Sequence, residues 1–229
     1  MTCLLAVETA TSACSAALFV DGAIQERHAL APRQHAALIL PMIESLLVEA
    51  DLQARQLDAV VFGQGPGSFT GVRIAASVVQ GIAFGAGLPV VAVSTLATLA
   101  LGAMEESGEA QVMAALDARM AEVYWGVYTR GEDGLPVLQG TECVAAPDAV
   151  PLPSPGRWVG AGSGWESYAE ALIKHSGERV VRVLPDLEPR ARDLVRLGAA
   201  AFERGQTVTA EQALPVYLRD QVVHEARKK

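Results

Sequence analysis

Three strand-like segments in a row, then alternating helix and strand patterns, occur twice along this chain, and that repeated order constrains the fold more than any other feature of the sequence. The first copy opens with the apolar run 3–7 (Cys-Leu-Leu-Ala-Val), a small polar turn Glu8-Thr9-Ala10-Thr11-Ser12, and a second strand at 14–20. Asp21-Gly22 is a two-residue hairpin signal that returns the chain as a third strand over 23–30. A helix follows over 34–50, with Leu38, Met42 and Leu46 in one stripe of spacing four and Ile39, Ile43 and Leu47 in the next. Pro41 inside that pattern kinks the helix or starts a second one. A strand at 59–62, a helix at 70–84, a strand at 89–93 and a helix capped by Ser94 or Thr95 and reaching about residue 104 complete the copy. The charged, glycine-containing stretch Glu105-Glu106-Ser107-Gly108-Glu109 reads as a lobe boundary. Beyond it come strands at 111–116, 121–129 and 137–144, a Pro-rich loop 147–156, a strand at 157–160, a helix at 165–174, a strand at 180–184 and a helix at 190–204. The expectation is an α/β protein of two lobes, 1–104 and 105–229, each a mixed sheet covered by helices.

The chain has 229 residues, of which 51% are hydrophobic and 19% charged, which supplies a substantial core and excludes a disordered, collagen-like or disulfide-stapled class. Lys and Arg number 18 against 26 Asp and Glu, so the net charge of −8 repels phosphate backbones and argues against a stand-alone nucleic-acid binder. Only Arg227-Lys228-Lys229 is locally basic, and it reads as a solvated end. Cys3, Cys14 and Cys143 are odd in number and form no Cys-x-x-Cys pair, the pattern of reduced thiols in a cytoplasmic protein. The N-terminus has no basic region and its apolar run soon meets Glu8, so no signal peptide is expected. No charged side chain lies between Arg73 and Glu105, a length that would span a bilayer. The run is nevertheless cut by Gly85-Ala86-Gly87-Leu88-Pro89 and carries Ser77, Gln80, Ser94, Thr95 and Thr98, so helix, turn, buried strand and second helix is the reading, with no membrane.

Three constellations bear on chemistry. Gly63-Gln64-Gly65-Pro66-Gly67-Ser68 joins a strand to a helix N-terminus, where backbone N–H groups can cradle a phosphate. It lacks the Gly-Lys-Ser/Thr ending of a P-loop, and spacing favours the structural reading, glycines for close packing and Ser68 or Thr70 as a cap. In the helix that follows, Ser77, Gly81 and Gly85 recur at spacing four. Each helical glycine costs roughly 1 kcal/mol relative to alanine, which close approach of another helix backbone would offset, whether from this chain or another subunit. Finally, Glu8 and Asp117 close equivalent strands of the two copies, where ligands of α/β folds gather. The pair fits the phosphate turns of a kinase-like ATPase, although Asp117-Ala118-Arg119-Met120 lacks the glycines of such a turn. His28, His35, His175 and His224 form no His-x-x-x-His or zincin pattern, so no metal ligands are assigned, and there is no Gly-x-Ser-x-Gly elbow.

Leu5-Ala6-Val7-Glu8-Thr9-Ala10-Thr11, Gly63 through Arg73 (Gly-Gln-Gly-Pro-Gly-Ser-Phe-Thr-Gly-Val-Arg), Asp117-Ala118-Arg119 and Pro215-Val216-Tyr217-Leu218-Arg219 closely resemble the bacterial TsaB (YeaZ) family. The likeness runs nearly the whole length in order. It implies a two-lobed actin-like ATPase (sugar kinase/Hsp70, ribonuclease H-like) fold, with the terminal helix a candidate to pack back on the first lobe. It also implies a non-catalytic scaffold or dimerisation subunit in the formation of threonylcarbamoyladenosine beside the anticodon of ANN-decoding tRNAs. The partners so implied are the catalytic paralogue TsaD, which holds its metal through a His-x-x-x-His pair, and a small ATPase, TsaE; a separate synthase, TsaC, supplies threonylcarbamoyl-adenylate. Alone the chain is expected as a homodimer, with tRNA bound only through the complex. No cofactor is expected on this chain alone, ATP or ADP being candidates for a subunit junction. Because subunits of the family associate through helices of the N-terminal lobe, the expected partner face comprises Leu38, Met42, Leu46, Arg73, Ser77, Gly81 and Gly85. Glu8, Thr9 and Asp117 mark the candidate nucleotide cleft, and no catalytic residue is expected. Glu8 stands where relatives commonly carry Asp, and Gln34-His35-Ala36-Ala37 lacks the serine that often follows this histidine. The alternative function is an independent actin-fold ATPase or phosphotransferase; the old glycoprotease label finds no support in the histidine spacing.

Overall fold

The computed structural model describes residues 2–219; the basic Arg227-Lys228-Lys229 and His224 lie outside the described residues. Every residue of β1 (Cys3–Glu8) is buried, the signature of a strand covered on both faces. It sits at the centre of a five-stranded sheet with β2 (Ala13–Val20), β3 (Ala23–Leu30), β4 (Ala59–Gly63) and β5 (Val90–Val93), in the order β3-β2-β1-β4-β5. β1 pairs antiparallel with β2 and parallel with β4, in register Leu4 to Ala59 through Val7 to Phe62. The second sheet repeats this plan. Strands β6 (Gln111–Arg119), β7 (Glu122–Arg130), β8 (Pro136–Leu138), β10 (Trp158–Ala161) and β11 (Val180–Leu184) take the order β11-β10-β6-β7-β8, and β9 (Cys143–Ala145) also pairs with β7. β6 is antiparallel to β7 and parallel to β10, so it occupies the place that β1 holds in the first sheet. The duplicated mixed sheet read from the sequence is the observed architecture.

Helices α1 (His35–Glu49) and α2 (Phe69–Ala86) cover one face of the first sheet, packing Ile39, Ile43, Ala75 and Val79 against Leu5, Val7 and Phe62. The sheets themselves divide at the 105–109 stretch, but the helices do not. α3 (Thr95–Ser107) packs Leu96, Leu99 and Ala103 against Val112, Leu116 and Val159 of the second sheet. Conversely, α6 (Ala191–Glu203) lays Leu194, Val195 and Leu197 on Leu4, Ala6 and Val61 of the first. Glu105 to Glu109 thus ends a helix of the second core, and 1–104 with 105–229 separates the sheets without separating the lobes. The far face of the second sheet is closed by Trp125, Trp158 and Trp165 with α4 (Ser163–Ser167) and α5 (Ala169–Ser176).

Local differences have local causes. α1 continues through Pro41, which removes the helical donor to the carbonyl of Ala37, an exposed residue. The strand expected over 137–144 is two short ones, divided near Gly140, whose φ of +83° breaks the ladder. The helix expected over 165–174 begins at Ser163 and is interrupted at Tyr168, with φ −130°.

Candidate functional site

The Gly63–Ser68 loop is built to receive the β1–β2 turn. A Cβ at Gly63 would stand 2.1 Å from Glu8 Oε2, one at Gly67 would stand 2.5 Å from the Ala10 carbonyl oxygen, and one at Gly71 would stand 2.0 Å from the Thr9 carbonyl oxygen. The Ser68 N–H donates to the Ala10 carbonyl at 2.7 Å and the Thr9 hydroxyl to the Gly71 carbonyl at 2.7 Å. Ser68 caps α2 by accepting from the Gly71 N–H at 3.4 Å. At this helix start, where other folds hold phosphate, the Ser68 amide is taken by the chain's own Ala10 carbonyl. The structural reading of the glycines is therefore the observed one.

Glu8 and Thr9 are both 0% exposed. Glu8 accepts from the Ala10 N–H at 2.8 Å and from the Thr95 hydroxyl at 3.3 Å, so its carboxyl is turned inward. Burial pushes its pKa up to about 7, against the pull of those hydrogen bonds. Burial likewise raises Asp193 to about 6. A carboxyl whose folded pKa exceeds its unfolded value favours the fold fully below the unfolded pKa, and this contribution fades as pH rises through the folded pKa. Stability should therefore fall from about pH 4.5 to about pH 7, by up to about 3 kcal/mol for Glu8 alone. Glu8→Gln, which keeps the acceptor for Ala10, should flatten that slope in thermal melts; an unchanged slope would show that Glu8 does not titrate there.

Asp117 is engaged elsewhere. Its Oδ1 accepts from the Arg119 N–H at 2.7 Å and the Tyr168 hydroxyl at 3.2 Å, and its Oδ2 pairs with Arg119 at 2.9 Å. These bonds shape the β6–β7 hairpin, where Arg119, Met120 and Ala121 have φ of +61°, +56° and +59°. Three successive non-glycine residues in the left-handed region cost roughly 1 kcal/mol or more each. Among the described residues no hydrogen bond or ion pair joins Glu8 or Thr9 to Asp117. Of the candidate nucleotide-cleft residues, Glu8 and Thr9 are fully buried and Asp117 braces the β6–β7 turn. No group of three or more His, Cys, Asp or Glu among the described residues is placed to hold a metal. His35 and His175 are instead hydrogen-bonded to the carbonyls of Ala13 and Val150.

The partner face divides differently from the expectation. Leu46 is fully buried in the first core, and Leu38 and Met42 are half-buried against it. α1 turns His35, Ile39, Ile43 and Leu46 inward, so Leu46 is withdrawn from the partner face. On α2, Arg73, Ser77, Gly81 and Gly85 are all exposed, and a Cβ at Gly81 or Gly85 would meet nothing within 4 Å. Among the described residues no helix approaches the two glycines. α2 is long and apolar enough to cross a membrane by length and composition, yet Val72, Ala75, Val79 and Ala83 pack into the first core. Only six of its eighteen residues are buried.

The remaining face joins small residues to aromatics that sequence reasoning did not single out. Phe84 is 75% exposed and Phe69 58% exposed. The Arg73 guanidinium lies 3.4 Å from the centre of the Phe69 ring, and its Nε donates to the Tyr217 hydroxyl at 2.9 Å. Phe69 and Phe84 could have been flagged as outward, since neither falls on the inward positions 72, 75, 76, 79 and 83. Across its eighteen residues α2 carries one charged side chain, Arg73. Depletion of charge together with exposed aromatic and arginine side chains is the composition of a protein–protein interface core.

The family model described as "TsaD: tRNA N6-adenosine threonylcarbamoyltransferase" matches residues 28–227. The chain is 44% identical over 222 residues to the tRNA threonylcarbamoyladenosine biosynthesis protein TsaB of Escherichia coli, covering 96% of this chain and 95% of that protein. It is 36% identical to the protein of the same name from Haemophilus influenzae, over 96% of this chain and 94% of the relative. The solved structure of YeaZ from Pseudomonas aeruginosa superposes with a TM-score of 0.89 at 47% identity, covering 95% of this chain and all of that one. The chain belongs to the TsaB (YeaZ) family. Its relatives are named for tRNA threonylcarbamoyladenosine biosynthesis, and the TsaB fold carries the actin-like duplicated sheets described above. This TsaB-family chain has no His-x-x-x-His pair anywhere in its sequence.

Proposed function

We propose that this chain is the non-catalytic scaffold of a tRNA threonylcarbamoyltransferase complex, acting by binding a TsaD-like catalytic paralogue through the exposed face of α2. One observation carries the reading: α2 presents two uncovered helical glycines beside the exposed Phe84 on a face with a single charge. Two helices bearing such small residues can approach backbone to backbone, which recovers the conformational cost of the glycines. A self-complementary version of the same contact gives a homodimer, so homodimer and heterodimer compete for one surface. The modified position is the adenosine beside the anticodon of ANN-decoding tRNAs, in the cytoplasm. A TsaE-like ATPase completes the assembly, ATP or ADP binds at a subunit junction, and tRNA is held through the complex. Against an independent ATPase stands the β1–β2 turn, whose Ala10 carbonyl occupies the helix-start amide of Ser68.

The test is reconstitution with the TsaD-like paralogue from the same cell. Phe84→Asp should weaken co-purification and any homodimer by at least about tenfold, as expected for charging a buried interface position, while circular dichroism is unchanged because Phe84 is exposed in the single chain. ATP turnover by the isolated chain that vanishes on Glu8→Ala would overturn the scaffold reading.

A further inference from the structure

Residues 213–219 run from the side of α2 to the tip of the β6–β7 hairpin, tied down mainly by side chains. At the first lobe, the Gln80 side-chain amide donates to the Ala213 carbonyl at 3.1 Å and the Val216 N–H to the Gln64 carbonyl at 2.8 Å. Tyr217 receives the Arg73 Nε–H at 2.9 Å and packs its ring 6.0 Å from that of Phe69. Two residues on, Arg219 belongs to the second lobe. Its guanidinium pairs with Glu122, and it reaches the Arg119 carbonyl at 3.5 Å and the Met120 Sδ at 3.3 Å.

The hairpin it grips is the one with three successive left-handed residues. Such a turn persists only when its surroundings over-determine it. The Asp117 carboxylate supplies one restraint from within the hairpin, and Arg219 supplies another from the segment that also holds Tyr217. Between these two anchors lies only Leu218, too short a span to absorb a displacement of either.

We infer that residues 213–219 form a strap coupling the exposed face of α2 to the strained β6–β7 hairpin. Whatever engages Arg73 and Phe69 shifts Tyr217, and with it the hold of Arg219 on Glu122. The coupling is reciprocal, so loosening the hairpin also loosens Tyr217 on Arg73. It reports occupation of one lobe to the other through a contact outside either core, and it holds in the chain alone, whatever partner α2 binds.

The test is amide hydrogen exchange, read by mass spectrometry on the full chain without partners. Tyr217→Ala, which touches nothing in the hairpin, should speed exchange over 119–123 about tenfold, the effect of losing one charge-assisted hydrogen bond. Glu122→Gln should speed exchange over 214–217 in the same way. If circular dichroism shows that Tyr217→Ala is misfolded, Tyr217→Phe, lacking only the hydroxyl, takes its place and must move the hairpin peptide in the same direction. Exchange that changes only in the lobe carrying the substitution overturns the strap. That result would leave the α2 interface standing, and failure of α2 to bind a partner would leave the exchange coupling standing.

Discussion

Gly81→Leu is expected to stabilise the single chain while weakening its association with a TsaD-like paralogue and with itself. In most helices a buried glycine replaced by leucine would clash, and the two effects could not be told apart. Here a Cβ at Gly81 meets nothing within 4 Å, so the substitution is free of steric cost in the monomer. It also replaces the poorer helix former, a gain of up to about 1 kcal/mol. In an assembly the same side chain must fit between two close backbones, and overpacking of that kind costs about 1–3 kcal/mol, or roughly fivefold to 150-fold in affinity. Thermal melts, sizing chromatography and a pull-down with the paralogue read the two signs separately. A variant that melts higher yet assembles as well as the parent would place the interface away from α2.

Gly71→Ala should have the opposite character, a single methyl that the fold cannot accommodate. The added Cβ would stand 2.0 Å from the Thr9 carbonyl oxygen and 3.1 Å from the Thr9 carbonyl carbon. Both are backbone atoms of the fully buried Thr9, so relief requires moving α2 away from the β1–β2 turn. That movement breaks the Thr9 hydroxyl bond to the Gly71 carbonyl and loosens the Ser68 cap. The expected loss is about 3 kcal/mol or more, at the upper end for overpacked cores, visible as a lowered urea midpoint or as failure to accumulate folded protein. Gly85→Ala is the control, because the same methyl there points into open space and should be neutral or stabilising.

The order of strands along the chain and the duplicated mixed sheet were legible because β-branched and alanine-rich apolar runs, separated by Asp-Gly and Gly-Pro punctuation, leave few alternatives. The structural role of the Gly63–Ser68 block was also legible from its missing P-loop lysine. The inward face of α1 was not. A strict spacing of four advances 40° around the helix at each step, so a stripe such as Leu38, Met42, Leu46 drifts off any fixed direction. The real core face mixes spacings, His35, Ile39, Ile43, Leu46, and takes its last member from the stripe assigned to a partner. Glu8 and Asp117 were matched by position within their strands, but burial decides between them, and burial depends on Gly63 and Thr95, far along the chain. The left-handed turn at Arg119-Met120-Ala121 carries no glycine to announce it. The Arg73–Tyr217 bond spans 144 positions, beyond any local pattern.

The crossed helices set the order in which this protein can be finished during synthesis. The first sheet is complete by Val93, but the face carrying Leu4, Ala6 and Val61 stays largely bare until Leu194, Val195 and Leu197 have been made. An N-terminal half emerging from the ribosome therefore holds a nearly formed sheet with one apolar side largely open, which its own half covers only with Leu101 and Ala97 of α3. Folding of this face waits for α6, so the two lobes are expected to become native together rather than one after the other. Severing the chain near residue 105 should yield two fragments that are each sticky alone and recover solubility when expressed together.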